Sequence, residues 1–314
     1  MFRIIIFLLI GIQCVQAQNK KVLFVIADGI PAEVIEKANK PAFQKIIDKG
    51  AILPCYVGGE KGGVTQSPTI SAVGYNSLLT GTWANKHGVV DNSIKNPNYN
   101  YPTIFKVFKD QYPNKTIGVF STWLDNRTKL VGDGLTQTGN IHVDFHRDGY
   151  ELDTIQFPHD KRAAYIHLID EKVVAEAALV IKDSAPDMSW VYLEYTDDMG
   201  HRFGDSPQLD SAITMLDHQM ATIMKAVEYR KRKYKEDWLV IITTDHGRDA
   251  KTGKNHGGQS DRERNTWLIT NKKPSEGVHK TAIVDIFPTI ASFLNISLPS
   301  NVAQSIEGVS FLLK

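Results

Sequence analysis

The stretch KVLFVIA (Lys21–Ala27), followed at once by Asp28 and Gly29, decides how the rest of the chain is read. It is apolar after Lys21 and rich in β-branched side chains, the pattern of a strand buried on both faces. Two further runs repeat the arrangement: SWVYLEY (Ser189–Tyr195) leads to Asp197, and WLVIITT (Trp238–Thr244) leads to Asp245. TIGVFS (Thr116–Ser121) and TWLIT (Thr266–Thr270) have the same composition with no acid directly behind them. Helical patterns lie between. In Asp210–Lys233, Ile213, Leu216, Met220, Ile223 and Val227 recur every three or four residues on one stripe, so its Met and Tyr residues read as core. Pro41–Gly50 and Ala282–Asn295 are shorter helical patterns, the first opened by Pro and closed by Gly. Strands alternating with helices predict an α/β fold with a mostly parallel central sheet and helices on both faces. In such a sheet, ligands bind beyond the carboxyl ends of the strands, so Asp28, Asp197 and Asp245 are expected at one edge.

The chain has 314 residues, 42% of them apolar and 23% charged, enough for a sizeable core and unlike a disordered segment. Thirty-six basic residues against 35 acidic ones leave a net charge of +1. No global field draws the chain to nucleic acid or to anionic membrane, so sequence-specific nucleic-acid binding is not expected and a polyanionic ligand has to be held locally. The basic run Arg230–Lys235 closes the long helical pattern, where cations complement the helix dipole, and reads as a solvated face.

The first residues read as an export signal: Arg3, an apolar run from Ile4 to Ile12, and a small-residue stop at Val15, Gln16 and Ala17. The apolar run is shorter than the roughly 20 residues of a membrane-spanning helix, so no transmembrane anchor is expected. This divides the chain into a signal peptide, 1–17, and one α/β catalytic domain, 18–314, bound for a periplasmic or extracellular space. A lipoprotein built on Cys14 is disfavoured by the bulky Gln13 before it. Cys55 is then the one cysteine left, and it reads as a packed apolar residue. The irregular segment of about 92–160 reads as an insertion near the site.

Each aspartate taken singly is also a common turn or cap residue. Their company points elsewhere. Asp197 is followed by His201 in DDMGH, Asp245 by His246 in TTDHG, and His256 stands in KNHGG. Oxygen and imidazole ligands beside glycines suit zinc, whereas magnesium and calcium prefer shells of oxygen alone. Two Zn2+ are therefore expected, another divalent metal being the alternative. A nucleophile is offered by Ser71, ahead of the helical stretch Tyr75–Thr80, where a helix N-terminus and nearby cations favour ionisation of a hydroxyl. A plain helix cap is the other reading of Ser71. No GxSxG elbow supports an ordinary esterase triad.

FVIADG, SAVGYNSLLTG, YTDDMGH, TTDHG and NHGG, in this order, resemble the alkaline phosphatase superfamily, nearest its nucleotide pyrophosphatase/phosphodiesterase branch. The resemblance runs from about Lys21 to Leu313. It includes VDIFPTIASFL and GVSFL, similar to a closing helix and strand. It implies one zinc held by Asp28, Asp245 and His246 and touching Ser71, and a second held by Asp197, His201 and His256. Counting nine residues back from Thr80 of the Thr-Gly pair lands on Ser71 as nucleophile, with Thr69 as the fallback. The chain departs from the branch in having Gly74 where an asparagine is usual, although a backbone N–H there could still donate to an oxyanion. The resemblance implies hydrolysis of phosphodiester or pyrophosphate bonds through a phosphoserine, on a small phosphate ester such as a nucleotide or head-group diester. Gly74, Tyr75, Asn92 and Trp123 are candidate substrate contacts. A phosphomonoesterase or phosphonate hydrolase of the same superfamily is the alternative enzyme, transfer of a phosphoalcohol head group a further one. From another class stands a non-catalytic metal- or glycan-binding module.

Overall fold

The structure, a computed structural model, describes residues 19–312, so the expected signal segment and Cys14 lie outside the described residues. Eight strands form one sheet in the order β4-β3-β5-β1-β6-β7-β2-β8. They are β1 (Lys20–Ala27), β2 (Ala51–Tyr56), β3 (Ile117–Ser121), β4 (Phe145–Arg147), β5 (Met188–Leu193), β6 (Asp237–Thr243), β7 (Asn265–Thr270) and β8 (Thr281–Ala282). The run from β4 to β6 is parallel throughout, while β7 lies antiparallel to both β6 and β2. The expected mostly parallel sheet is present, with TWLIT as its reversed strand.

Alternation along the strands feeds two apolar layers. Val22, Phe24 and Ile26 of β1 face one, and Leu23, Val25 and Ala27 the other, all wholly buried. Both faces need covering, because leaving one such side chain in water forgoes about 1.5–3 kcal/mol. Helices α1 (Ala32–Lys37) and α2 (Pro41–Ile47) follow β1, then come α3 (Ser71–Thr80), α4 (Ala84–His87) and α5 (Ile104–Gln111). After β4 come α6 (Ala164–Asp183), α7 (Tyr195–Phe203), α8 (Pro207–Tyr234), α9 (Asp261–Arg264), α10 (Ile286–Phe293) and α11 (Ser300–Ser305). Residues of α3, α5 and α10 cover the first face, and those of α2, α6 and α8 the second. The stripe Ile213, Leu216, Met220, Ile223 and Val227 is buried, as its spacing requires. Met220 of the stripe is core, while Met215, off the stripe, is exposed. Beyond the pattern, Tyr234 is exposed and stacks on the Arg230 guanidinium. Arg230 itself is buried against Glu236, so the basic run is not wholly solvated.

Three local readings change. The run SWVYLEY ends as a strand at Leu193, and Asp197 sits in the first turn of α7. The segment 92–160 holds α5, β3 and β4, so part of it is sheet framework. The tail forms no strand among the described residues. Its backbone instead bonds outward, Val309 N–H to Asp285 Oδ1 at 2.8 Å and Phe311 N–H to Thr289 Oγ1 at 3.1 Å. The register sets the site: Ala27 pairs with Leu193 and Ile26 with Thr243, so β1, β5 and β6 end level.

Candidate metal centre and nucleophile

Asp28 directly follows β1, and Asp245 and His246 stand two and three residues past the end of β6. All three are buried. His246 Nε2 lies 3.4 Å from Asp28 Oδ1 and 3.2 Å from Asp245 Oδ2. The far side of each group is anchored. Asp28 Oδ2 accepts the hydroxyls of Tyr192, at 2.7 Å, and of Tyr75. Asp245 Oδ1 accepts Gly29 N–H at 3.2 Å, and His246 Nδ1 faces Gly247 O at 2.9 Å.

The second cluster opens outward. Asp197 and His201 stand one turn apart on α7, the spacing that puts two side chains on one helix face. His201 Nε2 is 3.2 Å from Asp197 Oδ2 and 3.0 Å from His256 Nε2. His256 rides on the hairpin after β6, whose turn is tied by Asp249 accepting Thr252 N–H at 2.7 Å and Asn255 N–H at 2.8 Å. Its Nδ1 faces Thr69 O at 2.9 Å.

Ser71 opens α3 as its first residue, one turn earlier than the apolar pattern indicates. Its Oγ is 3.3 Å from His246 Nε2. Thr69 is committed elsewhere: its hydroxyl donates to Gly258 O at 2.8 Å and accepts Gly257 N–H at 3.0 Å. It thereby pins the His256 loop.

The donor chemistry fits divalent cations. Each histidine whose Nδ1 faces a carbonyl places its proton there, which turns an unprotonated Nε2 toward the carboxylates, the usual arrangement of a metal-ligating imidazole. Among the described residues, Asp28 Oδ1 and Asp245 Oδ2 are buried with no hydrogen-bond partner. Asp197, His201 and His256 form one group able to hold a metal ion, and Asp28, Asp197 and His246 another. These buried groups perturb one another's protonation. Burial and then the Asp197 charge push Asp28 up to about 7, and burial with Asp28 and Asp197 raises Asp245. Burial and then His256 lower His246. Against burial, which acts upward, the His201 hydrogen bond and the Arg248 charge hold Asp197 below the ordinary carboxylate range.

The substrate candidates fare differently. Gly74 lies against β6's exit, where an added Cβ would stand 2.8 Å from Asp245 O and 3.0 Å from Asp245 Cβ. Its N–H bonds Ile70 O at 2.9 Å, so it is not free to serve an oxyanion. Tyr75 is wholly buried and holds Asp28, which leaves no ring face for a ligand. Trp123 is half-buried with its ring edge-on to Tyr75 at 6.4 Å. Asn92 is exposed, and its Oδ1 accepts Ala72 N–H at 3.0 Å, beside Ser71. Tyr192 and Arg248 were not singled out from the sequence. Tyr192 sits inside an apolar run with nothing to mark its hydroxyl, and the one signal for Arg248 was a charge directly after Asp-His-Gly.

Known proteins resemble this chain in sequence and in fold. The human ectonucleotide pyrophosphatase/phosphodiesterase family member 5 is 24% identical over 238 residues, covering 74% of this chain and 46% of that protein. A pyrophosphatase/phosphodiesterase of Schizosaccharomyces pombe is 22% identical over 321 residues, covering 95% of this chain and 61% of its own length. The chain thus spans about half of these curated relatives. The solved structure of human ectonucleotide pyrophosphatase/phosphodiesterase 5 superposes with a TM-score of 0.61 at 17% identity, over 92% of this chain and all of the other. That of a 2-O GAG sulfatase gives 0.66 at 14%, over 93% and 73%. The fold is alkaline-phosphatase-like. Because the description of type I phosphodiesterase / nucleotide pyrophosphatase matches residues 22–270, most of the sheet and every candidate ligand included, the chain belongs to that family.

Proposed function

We propose that this chain is an exported hydrolase that loads two Zn2+ and cleaves phosphodiester or pyrophosphate bonds through a phosphoserine at Ser71. The observation that carries this is the meeting of Ser71 Oγ with the inner carboxylate–imidazole group, 3.3 Å from His246 Nε2, while the outer group stands beside it. Asp28, Asp245 and His246 would hold one cation, and Asp197, His201 and His256 the other. When bound, the cations supply Lewis acidity to the attacking and the leaving oxygen of an in-line displacement.

The chain's own groups do the rest. The α3 N-terminus points its dipole at Ser71 and favours the ionised hydroxyl. Asn92 holds that terminus through Ala72 N–H, and Gly74 lets the helix press against Asp245. Ser71 Oγ bonds to phosphorus as the bond to the leaving oxygen breaks. Water then releases the phosphoryl group and restores the hydroxyl. Nucleotides are the first substrates to test, since a murine relative's inactive T72A variant was solved in complex with AMP. No described helix is long and apolar enough to cross a membrane, and export rests on residues 1–17.

The test compares aryl phosphodiesters, aryl phosphomonoesters and nucleotides on metal-replete and metal-stripped protein. Diester or pyrophosphate cleavage that vanishes on stripping and returns with Zn2+ is expected. Full activity without metal, or monoester preference, overturns the reading. N-terminal sequencing of the mature protein checks the signal.

A further inference from the structure

Arg248 is wholly buried, and its guanidinium is spent on four acceptors. Nε donates to Gly29 O at 2.9 Å and Nη1 to Lys254 O at 3.1 Å. Nη2 donates to Asp197 O at 2.7 Å and to Asp197 Oδ1. Taking a guanidinium out of water costs several kcal/mol unless its donors are met, so this position has to be built for it. It is. Gly200 of α7 faces the guanidinium, where a Cβ would stand 2.1 Å from Arg248 Cζ. Gly29 closes the other side: its Cβ would lie 2.3 Å from Asp197 Oδ1 and 2.7 Å from Arg248 Nη2. Residues from β1's exit, from α7 and from the His256 hairpin therefore converge on one planar fork. A lysine, with a single point of charge on a flexible stem, cannot reproduce that geometry.

We propose that Arg248 is a positioning residue that makes Asp197 a one-oxygen metal ligand, an inference that rests on the metal reading above. Arg248 occupies Asp197 Oδ1, and Oδ2 is the oxygen left to the cluster, 3.2 Å from His201 Nε2. Gly29 O and Lys254 O anchor the guanidinium, which has no exposed face with which to touch substrate. Its effect therefore passes through Asp197.

The experiment titrates metal-stripped full-length protein with Zn2+ by calorimetry, for the wild type, Arg248→Met and Arg248→Lys, and follows Co2+ uptake by visible absorption. The wild type is expected to bind two ions. Both variants are expected to bind one ion as the wild type does and the other about 10–100-fold more weakly, the scale on which partners behind a ligand act. Arg248→Lys should fall between, and the Co2+ spectrum should change only for the weakened site. Should Arg248→Met not fold, Arg248→Lys carries the same comparison. Folded variants that bind both ions with unchanged affinity, or that weaken both equally, overturn the role of Arg248 and leave the metal reading standing. A wild type that binds no divalent cation overturns both.

Discussion

The imidazole of His246 is stacked on that of His256, their ring centroids 3.7 Å apart and their planes 13° from parallel. This contact makes the two carboxylate–imidazole groups one cluster with an inner and an outer end. His246 is fully buried, whereas the His201 side chain is 42% exposed. Solvent and chelators meet the outer group first.

Metal loss should follow that asymmetry. Zinc released to a strong chelator is expected in two phases, the faster from Asp197, His201 and His256. Asp197→Ala should leave one bound ion and remove the fast phase. Metal analysis against dialysis time checks this, and a single phase in the wild type counts against an inner and an outer ion.

Ser71 and Thr69 should separate by kind of defect. Ser71→Ala is expected to lower kcat/KM on an aryl phosphodiester by about a thousandfold or more with little change in thermal midpoint. Thr69→Ala removes two hydrogen bonds to the His256 loop, costs about 1–3 kcal/mol and slows turnover far less. Steady-state kinetics with thermal unfolding on both variants decides it, and a larger kinetic loss in Thr69→Ala would move the nucleophile.

Gly74 is set by contact. Gly74→Ala forces a Cβ against Asp245 and should destabilise by about 1–3 kcal/mol while lowering kcat, because α3 carries Ser71. Gly74→Asn, which places the branch's usual residue there, should be worse still on both measures. A gain of diesterase activity in Gly74→Asn would contradict the packing argument.

His87 should make stability fall in acid. It is buried in a network that admits the neutral ring alone: Ser77 Oγ stands 3.0 Å from Nε2, and Val89 N–H donates to Nδ1 at 3.1 Å. Burial pushes its pKa from 6.5 down to about 3. A depressed folded value means that its contribution is complete above the unfolded pKa near 6.5 and is lost as pH falls toward about 3. Relative to His87→Gln in the same metal state, the wild type should lose stability over that window at a slope approaching about 1.4 kcal/mol per pH unit. Denaturant midpoints at several pH values measure the difference, and a constant difference refutes it.

Pattern and spacing carried much of the fold. Apolar runs of strand length and the stripe on α8 are local properties, so β1, β3, β5, β6, β7 and the long helix were legible. The strand β2 was not, because Pro54 interrupts AILPCY. It is accommodated next to β8, which pairs only with Cys55 and Tyr56. The two-residue β8 and three-residue β4 are too short to show a period.

By itself the sequence determined the candidates for the chemistry: aspartates and histidines beside glycines behind buried strands, and a serine before a helix. Tertiary structure alone decided how they meet. The level ends of β1, β5 and β6 bring Asp28, Asp197 and Asp245 together, and α7 turns Asp197 toward His201. Tyr75, Gly74 and Arg248 have their places decided there too, since a buried hydroxyl, a missing Cβ and a buried guanidinium depend on neighbours far away in the chain.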